Sequence, residues 1–367
     1  MNKHKIPFLD LHAAYSELRD DINNSIKQSL ESGFYIGGEQ VEKFEREFAD
    51  YTESGYCVSV GNGLDAIHLG LLALGVGPGD EVIVPSHTFI ATWLAVTQVG
   101  ATIVPVEPDE QTFTIDPTRI EAAITQKTKA IIPVHLYGQS ADLDPILAIA
   151  KKHGLFVLED AAQAHGAKYK CRRIGSHGDL VAWSFYPGKN LGAFGDGGAI
   201  TTNNKSLAET VRKLGNYGSS IKYQHELSGF NSRLDPIQAS ILQVKLTHLD
   251  KWNLRRKEIA NAYSHALEGS DISIPKVAQW ADPVWHLYVI RSKNRDLLQQ
   301  RLADSGIQTL IHYPTPPHLQ NTYKNWRWNR GEFPIAEKLA SEILSIPIGP
   351  HLEMQDVQKV INVIVKS

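Results

Sequence analysis

Lys189 lies in a stretch of unusual composition, residues 183–200 (WSFYPGKNLGAFGDGGAI), where glycines and aromatic residues surround one lysine. A loop lysine can be a solvated charge, a phosphate contact or an amine that forms a covalent bond. The amine becomes nucleophilic only when it is deprotonated, which burial or neighbouring cations promote. The glycines would let a ligand approach the backbone closely, and Ser184 places a hydroxyl five residues before the lysine. On these residues alone the three interpretations stay open.

Two acidic residues, Glu159 and Asp160, end the apolar run LFVLED at 155–160, and Gln163 follows them. A carboxylate at the end of a strand can cap the next helix. It can also point into a ligand crevice, where it would hold a protonated heterocyclic nitrogen while Gln163 bonds a neighbouring oxygen. The sequence permits both interpretations.

Two further stretches could contact a flat, phosphorylated ligand. The glycines of residues 61–63 (GNG) come directly before a predicted helix at 64–75. A helix N-terminus exposes backbone N–H groups where the helix dipole favours an anion. Phe89 follows the run EVIVP at 81–85, and its ring could stack on a heterocycle or pack in the core.

Other polar residues have equally good structural explanations when taken singly. Asn231 and Arg233 belong to the motif FNSRLD, and the proline-rich loop IHYPTPPHLQ carries His312, Tyr313 and His318. The 15 histidines include no HExxH motif and no Cys/His cluster at zinc spacing, so no metal site is predicted. The absence of GxSxG argues against an α/β-hydrolase, and the absence of GxGxxG argues against a nicotinamide-dependent oxidoreductase.

Most of the chemical candidates follow short apolar runs that alternate with helical patterns between residue 57 and about residue 204. The predicted strands are 81–85, 101–108, 129–138, 155–160, 180–187 and 198–203, and the clearest helices are 64–75 and 143–154. Apolar strands separated by helices predict a parallel sheet that is covered on both faces. Ligands of such sheets bind at the carboxyl ends of the strands, which is where Asp160, Ser184 and Phe89 would lie.

The pattern changes from about residue 236. Residues 235–267 are predicted to form one long amphipathic helix that connects to a smaller α+β unit. That unit would contain strands at 284–290 and 344–349 and helices at 293–305 and 333–343. We therefore predict a large domain of residues 1–240, which includes an N-terminal segment, and a small C-terminal domain of residues 241–367, which includes the connecting helix.

Composition limits the class of protein. The chain has 367 residues, a net charge of −3, an apolar fraction of 42% and a charged fraction of 21%. This balance gives no electrostatic reason to expect nucleic acid or an anionic membrane as a partner. The two cysteines, Cys57 and Cys171, form no CxxC motif, and the N-terminus becomes charged before a secretory signal could form. A cytoplasmic protein that does not bind membranes is predicted.

The order of these motifs resembles the sugar-nucleotide aminotransferases of the DegT/DnrJ/StrS family. A glycine-rich loop, an aromatic residue, DxxQ after a strand, SxxxxK before glycines, and NxRLD follow one another along the chain, and the resemblance extends from residue 32 to residue 320. The resemblance implies the fold of type I pyridoxal-phosphate enzymes, which is like that of aspartate aminotransferase. That fold has a large α/β domain with a mainly parallel sheet and a smaller C-terminal α+β domain.

The resemblance also implies roles for individual residues. Lys189 would bind pyridoxal 5′-phosphate covalently and would be catalytic together with Asp160, which would pair with the pyridine nitrogen. The remaining implied cofactor contacts are Gln163 at the 3′-oxygen, Phe89 on the ring face, and Gly63, Leu64, Ser184 and Asn231 at the phosphate. Asn231 would come from the partner subunit of a homodimer. The family usually has threonine or serine where Leu64 stands, so one hydroxyl contact is lost. The implied substrate contacts are Tyr186, Arg233, His312, Tyr313 and His318.

By the same resemblance, L-glutamate is the amino donor and a nucleotide-linked keto-sugar is the acceptor. Some relatives carry histidine at the lysine position and catalyse dehydration, so Lys189 favours transamination. The loops PSHTFIATWLAV and HYPTPPHLQ are most similar to those of enzymes that aminate C3 of a dTDP-3-keto-6-deoxyhexose. The amino sugar would be used in the biosynthesis of surface polysaccharides or glycoconjugates. Alternatives are amination at C4, amination at C3 of a UDP-N-acetyl sugar, a nicotinamide-dependent sugar-nucleotide oxidoreductase, and a non-catalytic protein that keeps the pocket as a scaffold.

Overall fold

The computed structural model of the chain describes residues 5–365. The α-helices are α1 (Leu11–Glu17), α2 (Arg19–Glu31), α3 (Glu39–Tyr51), α4 (Gly63–Ala73), α5 (Ile90–Gln98), α6 (Leu143–His153), α7 (Lys205–Gly215), α8 (Pro236–Leu246), α9 (Leu249–Leu267), α10 (Arg295–Asp304), α11 (Pro334–Glu342) and α12 (Met354–Val365). The strands are β1 (Tyr56–Val60), β2 (Glu81–Pro85), β3 (Thr102–Val106), β4 (Thr128–Ile131), β5 (Phe156–Asp160), β6 (Lys168–Tyr169), β7 (Arg172–Arg173), β8 (Leu180–Ser184), β9 (Gly198–Thr202), β10 (Ser219–Ile221), β11 (Gln224–His225), β12 (Ala281–Asp282), β13 (Tyr288–Arg291) and β14 (Ile343–Ile346).

A seven-stranded sheet in the order β1-β9-β8-β5-β4-β2-β3 forms the centre of the fold. Adjacent strands are parallel from β8 to β3, whereas β9 is antiparallel to both β8 and β1. Parallel neighbours usually need a helical crossover, but the loop 185–197 that joins β8 to β9 contains no helix. The chain therefore returns beside β8 in the opposite direction. The predicted α/β class with a mainly parallel sheet is confirmed.

The sequence located most elements of this sheet but not all of their ends. The predicted strand at 81–85 coincides with β2, and the strand predicted at 129–138 ends at Ile131 in the structure. Residues 136–138 instead form a short 3₁₀ segment in which Tyr137 has a φ of 60°. Strand β1 was not predicted. It is an edge strand of the sheet, and Val58 and Val60 on it belong to the apolar core between the sheet and the helices.

Local capping sets the start of α4, the helix that approaches the predicted phosphate site. The side chain of Asn62 accepts a hydrogen bond from the backbone N–H of Asp65, at 2.9 Å. An N-cap of this kind satisfies one of the backbone donors at the start of a helix. Because a helix leaves its first four N–H groups without intrahelical partners, the N–H groups of Gly63 and Leu64 stay available to a ligand.

The prediction of one long connecting helix at 235–267 is wrong. The structure has two helices, α8 and α9, separated by Thr247 and His248. The Thr247 hydroxyl donates to the carbonyl of Val244 at 2.8 Å, and the N–H of His248 bonds Lys245 three residues back. Such local hydrogen bonds compete with the helical pattern. The break lets α8 pack against α2 and α3 while α9 packs against α12.

The C-terminal part contains the antiparallel pair β13–β14 and the helices α9, α10 and α12. Their buried apolar side chains, among them Tyr263, Tyr288, Leu302, Ile346 and Val360, form a core of their own. The predicted domain boundary at residue 240 lies inside α8, and the division into two domains stays a prediction. Within residues 5–365, no helix is both long and apolar enough to cross a membrane.

Candidate active site

The carboxyl ends of the central strands bring the main candidates to one edge of the sheet. Asp160 is the last residue of β5, and Ser184 is the last residue of its parallel neighbour β8. Phe89 immediately precedes α5, and Lys189 lies in the loop that follows Ser184. Residues separated by up to a hundred positions thus meet at the place where parallel sheets bind their ligands.

Asp160 is buried and its carboxylate is fixed by two hydrogen bonds. The Thr92 hydroxyl donates to Oδ2 at 2.9 Å, and the N–H of Ala162 donates to Oδ1 at 3.1 Å. Burial raises the pKa of Asp160, although these two donors and the nearby Lys189 favour the charged form. A cation placed against this carboxylate would therefore relieve its desolvation.

Lys189 is half-buried beside Asp160. Burial lowers the pKa of its amine to about 8, and the charge of Asp160 opposes that shift. Within residues 5–365 the Lys189 side chain makes no hydrogen bond or salt bridge that would hold its proton. An amine with a pKa near neutrality and no bonded partner is suited to nucleophilic attack and to proton transfer.

Three imidazoles lie in the electrostatic neighbourhood of Lys189. Burial, together with the lysine charge, lowers the pKa of His165 to about 3 and that of His312 to about 4, and it places the pKa of His286 well below its ordinary value. All three are therefore neutral at physiological pH and add no positive charge around the amine.

A close contact between α4 and β8 forms a candidate phosphate site. A Cβ added to Gly63 would lie only 2.6 Å from the Cβ of Ser184, so a glycine is needed for this approach. The contact brings the Ser184 hydroxyl near the open N–H groups of Gly63 and Leu64. The nearby carboxylate of Asp65 accepts a hydrogen bond from Ser232 at 2.6 Å. Hydroxyl and backbone donors at a helix N-terminus suit an anion.

Gln163 is buried and its orientation is fixed from both sides. Its Oε1 accepts the N–H of Tyr137 at 2.6 Å, and its Nε2 donates to the Tyr313 hydroxyl at 3.1 Å. The second N–H of Nε2 remains for a ligand oxygen. The Tyr137 hydroxyl donates its proton to the backbone carbonyl of His312. The hydroxyl oxygen therefore accepts a hydrogen bond from Nε2 of His87, which lies 2.9 Å away.

Phe89 is 50% exposed although it is a large aromatic residue. Its ring centroid lies 5.2 Å from that of Tyr313, which connects the Phe89 loop to the loop 311–320. His312 bonds Ser345 through Nδ1 at 2.8 Å. The structure thus brings Phe89, His312 and Tyr313 to the same region as Gln163.

The other predicted contacts lie differently. Tyr186 is 60% exposed, three residues before Lys189. Arg233 donates to the Asn231 side chain at 2.7 Å and faces a groove that it shares with Ile36. His318 is buried, bonds Glu337 at 3.0 Å, and its side chain has no exposed surface. The role of His318 in substrate binding stays a prediction.

Sequence reasoning missed two residues that hold this site in place. Thr92, which bonds Asp160, lies one helical turn after Phe89, and this spacing could have indicated it. Tyr137 adopts a left-handed backbone conformation that is uncommon for a bulky residue. No motif in the neighbouring sequence predicts this conformation. Among the residues that the structure describes, no group of three or more His, Cys, Asp or Glu side chains could hold a metal ion.

The model of the DegT/DnrJ/EryC1/StrS aminotransferase family matches residues 16–365. The chain belongs to this family. The predicted class, a pyridoxal-phosphate-dependent sugar-nucleotide aminotransferase, is confirmed, and the alternative of a nicotinamide-dependent oxidoreductase has no support.

Three curated relatives match almost end to end. The erythromycin biosynthesis sensory transduction protein EryC1 of Saccharopolyspora erythraea is 56% identical and covers 97% of this chain and 98% of its own. The dTDP-3-amino-3,4,6-trideoxy-alpha-D-glucose transaminase of Streptomyces venezuelae is 52% identical, with coverage of 98% and 95%. The dTDP-3-amino-3,6-dideoxy-alpha-D-galactopyranose transaminase of Aneurinibacillus thermoaerophilus is 51% identical, with coverage of 98% for both chains.

Solved structures of similar proteins share the fold. DesV of S. venezuelae, solved with a ketimine intermediate, has a TM-score of 0.97 at 52% identity and covers 99% of this chain and 98% of its own. NtdA of Bacillus subtilis, solved with the bound cofactor PMP, has a TM-score of 0.90 at 34% identity, with coverage of 100% and 87%. The cofactor of this aminotransferase is pyridoxal 5′-phosphate.

The residues of this aminotransferase fit that cofactor. An unbonded amine at Lys189 lies beside a buried carboxylate at Asp160. The backbone donors of Gly63 and Leu64 and the Ser184 hydroxyl lie where α4 approaches β8. A Cβ at position 63 would fill the space between them. The exposed ring of Phe89 and the open N–H of Gln163 complete the set that would hold a flat, phosphorylated, cationic heterocycle.

Proposed function

We propose that this aminotransferase moves the amino group of L-glutamate to C3 of a dTDP-linked 3-keto-6-deoxyhexose, producing a dTDP-3-amino-3,6-dideoxyhexose. The observation that carries the proposal is the identity of 51–52%, over 98% of this chain, to two transaminases named for dTDP-3-amino sugars. The bound cofactor supplies an electron sink that stabilises negative charge on the donor carbon.

The residues of the chain would divide the work as follows. Asp160 would hold a proton on the ring nitrogen, because its buried carboxylate favours a cationic partner. The Lys189 amine would bind the cofactor. Once displaced by the donor, it would accept the α-proton at Nζ and later deliver a proton. The amine needs no strong base to activate it, since burial lowers its pKa to about 8.

The acceptor sugar would enter over Phe89 and the loop 311–320. Phe89 and Tyr186 are exposed at this edge of the sheet, and His312 and Tyr313 lie behind them. We propose His312, Tyr313 and Tyr186 as sugar-nucleotide contacts. A neutral His312, whose pKa is lowered to about 4, would offer hydrogen bonds to sugar hydroxyls without adding charge.

We also propose a homodimer with shared active sites. Phe34, Tyr35 and Ile36 are 68%, 58% and 56% exposed, an apolar patch that water would not favour in an isolated chain. Ile36 borders the same groove as Arg233, which holds Asn231. An interface on this patch would carry Asn231 toward the phosphate site of the partner subunit, where it would offset the missing hydroxyl at Leu64.

A reducing compartment fits the described cysteines, since Cys57 and Cys171 are both free thiols. We therefore propose a cytoplasmic enzyme. From the proposed reaction we further propose that its amino sugar supplies lipopolysaccharide O-antigen, another surface polysaccharide or another glycoconjugate.

The experiment that tests this function is a panel of dTDP- and UDP-linked keto-sugars incubated with L-glutamate and the holoenzyme, with the products identified by NMR. We expect amination at C3 of a dTDP-3-keto-6-deoxyhexose, with the fastest turnover in the panel. Preferential amination at C4, or preference for a UDP-N-acetyl-3-keto sugar, would replace the proposed substrate. Absence of turnover with every keto-sugar would favour a non-catalytic role.

A further inference from the structure

A cavity of about 90 Å³ borders Lys189 beside the connecting helices. Among its lining residues are Asn190, Phe194, Lys245, Trp252 and Arg256. The volume is enough for several water molecules, and hence for a group the size of a carboxylate. Two of its cationic side chains, Lys245 and Arg256, have no role in the mechanism described above.

Arg256, on α9, is only 3% exposed, yet no carboxylate among the described residues pairs with it. Its Nη1 donates to the backbone carbonyls of Trp285, His286 and Ile348 at 3.2–3.3 Å. Its other N–H groups make no hydrogen bond within residues 5–365. A buried cation without an anionic partner is costly, and burial lowers the pKa of this guanidinium to about 10.

Lys245, on α8, is a second buried cation that lines the cavity. It is 5% exposed, its amine donates to the carbonyl of Gly192, and it lies 4.6 Å from the centroid of the Phe194 ring. No salt bridge within the described chain involves it, and burial lowers its pKa to about 8. Two buried cations therefore border one small cavity beside the reactive amine.

The acidic groups nearby do not neutralise these cations. Asp10 lines the cavity but is exposed, and its carboxylate caps α1 through the N–H groups of His12 and Ala13. Glu17 is bonded by Arg255, Lys251, Trp252 and His351. The cavity thus keeps an excess of positive charge that an entering anion would balance.

We propose that Arg256, with Lys245 beside it, binds a carboxylate group of the amino donor. This inference rests on the proposed function, because it assumes that the donor is a dicarboxylic amino acid. The guanidinium presents N–H donors that suit a carboxylate geometrically, and such charge-assisted bonds are the strong ones.

The position of the cavity favours the donor over the diphosphate of the nucleotide sugar. In an amino acid the α-carboxylate is attached to the carbon that carries the reacting amine, so it must lie close to Lys189. In the sugar nucleotide the diphosphate is attached at C1, and the ring separates it from the keto carbon. A small cavity that borders the lysine and is lined by two buried cations matches the first arrangement.

The test compares the two half-reactions of the holoenzyme in Arg256→Lys and Lys245→Gln, followed through the visible absorption of the bound cofactor. We expect kcat/KM for L-glutamate to fall about 10- to 100-fold in Arg256→Lys, the range for a lost charge-assisted hydrogen bond. The reverse half-reaction with the amino-sugar nucleotide should change less than about threefold, because that substrate carries no α-carboxylate. Arg255→Gln is the matched control, because Arg255 neighbours Arg256 on α9 but pairs with Glu17 of α1.

A binding measurement separates recognition from folding. Calorimetry with glutarate, an unreactive dicarboxylate, should show weaker binding to Arg256→Lys and Lys245→Gln than to the wild type and Arg255→Gln, with dTDP binding unchanged. Equal glutarate affinity in all four proteins would overturn the proposal, as would a loss of dTDP affinity alone. If the wild type failed to react with any amino acid and keto-sugar, the proposed function would fail instead. Wild-type turnover with unaffected variants would reject only the carboxylate site.

Discussion

The chemical role proposed for Lys189 depends on its surroundings. Burial removes the amine from water, so its neutral form is populated near physiological pH, and Asp160 limits how far the pKa falls. The three neutral imidazoles nearby leave Asp160 as the carboxylate that determines the local charge. The same residue in a solvated loop would stay protonated and unreactive.

The first prediction concerns the pH dependence of cofactor capture. Only the neutral amine attacks an aldehyde, so the rate at which apoenzyme binds pyridoxal phosphate covalently should rise with pH and level off above a midpoint near 8. Stopped-flow absorbance across this range checks it, and Lys189→Ala should show no covalent capture. A rate that keeps rising toward the ordinary lysine pKa of 10.5 would contradict the buried environment.

The second prediction concerns Asp160 and its hydrogen-bond donor. Asp160→Asn removes the charge that would hold a cationic ring nitrogen, and kcat should fall about 100-fold, near the upper range for a charged hydrogen bond. Thr92→Val removes one of the two donors to the same carboxylate but keeps its charge, so it should cost less, about 2- to 10-fold. Turnover of the C3-keto substrate measures both. Equal losses in the two variants would show that the charge of Asp160 has no separate role.

At the scale of elements, the close approach of α4 to β8 forms the proposed phosphate site. The third prediction is that Gly63→Ala weakens cofactor affinity about 10- to 100-fold, since the new methyl group would push the helix donors away from Ser184. Gly77→Ala is the matched control, because a Cβ at Gly77 meets no atom within 4 Å. Equilibrium dialysis of pyridoxal phosphate against both variants decides. Unchanged affinity in Gly63→Ala would place the phosphate elsewhere.

The elements also show where sequence patterns succeed and where they stop. Apolar runs and helical spacing located β2, α4 and α6 because those signals are local. The break between α8 and α9 was not predicted, because the amphipathic pattern continues through Thr247. The competing hydrogen bond from Thr247 to Val244 does not change the spacing of the apolar residues. The antiparallel direction of β9 was not predicted either, because the apolar pattern of a strand does not depend on its direction.

At the scale of the whole molecule, the proposed dimer makes each site depend on two chains. The fourth prediction is that coexpressed Lys189→Ala and Asn231→Ala chains regain roughly a quarter of wild-type activity. Random pairing makes half of the dimers mixed, and each mixed dimer has one intact site. Each variant alone should be far less active.

Differently tagged chains allow the mixed dimers to be purified and assayed, with sedimentation to verify their mass. Verified mixed dimers without recovered activity would contradict the shared site, and a monomer in sedimentation would contradict the dimer itself.

The sequence by itself determined the family, the cofactor chemistry and the α/β class, because the order of Asp160, Gln163, Ser184 and Lys189 along the chain carries that information. The tertiary structure alone decided the contacts that tune these residues. Thr92 meets Asp160, Gly63 meets Ser184, and Arg256 borders the cavity of Lys189. The reason is physical, since such pairs are far apart in sequence and are brought together only by the path of the folded chain. Burial, which sets the pKa of Lys189 and isolates the charge of Arg256, is likewise a property of the fold.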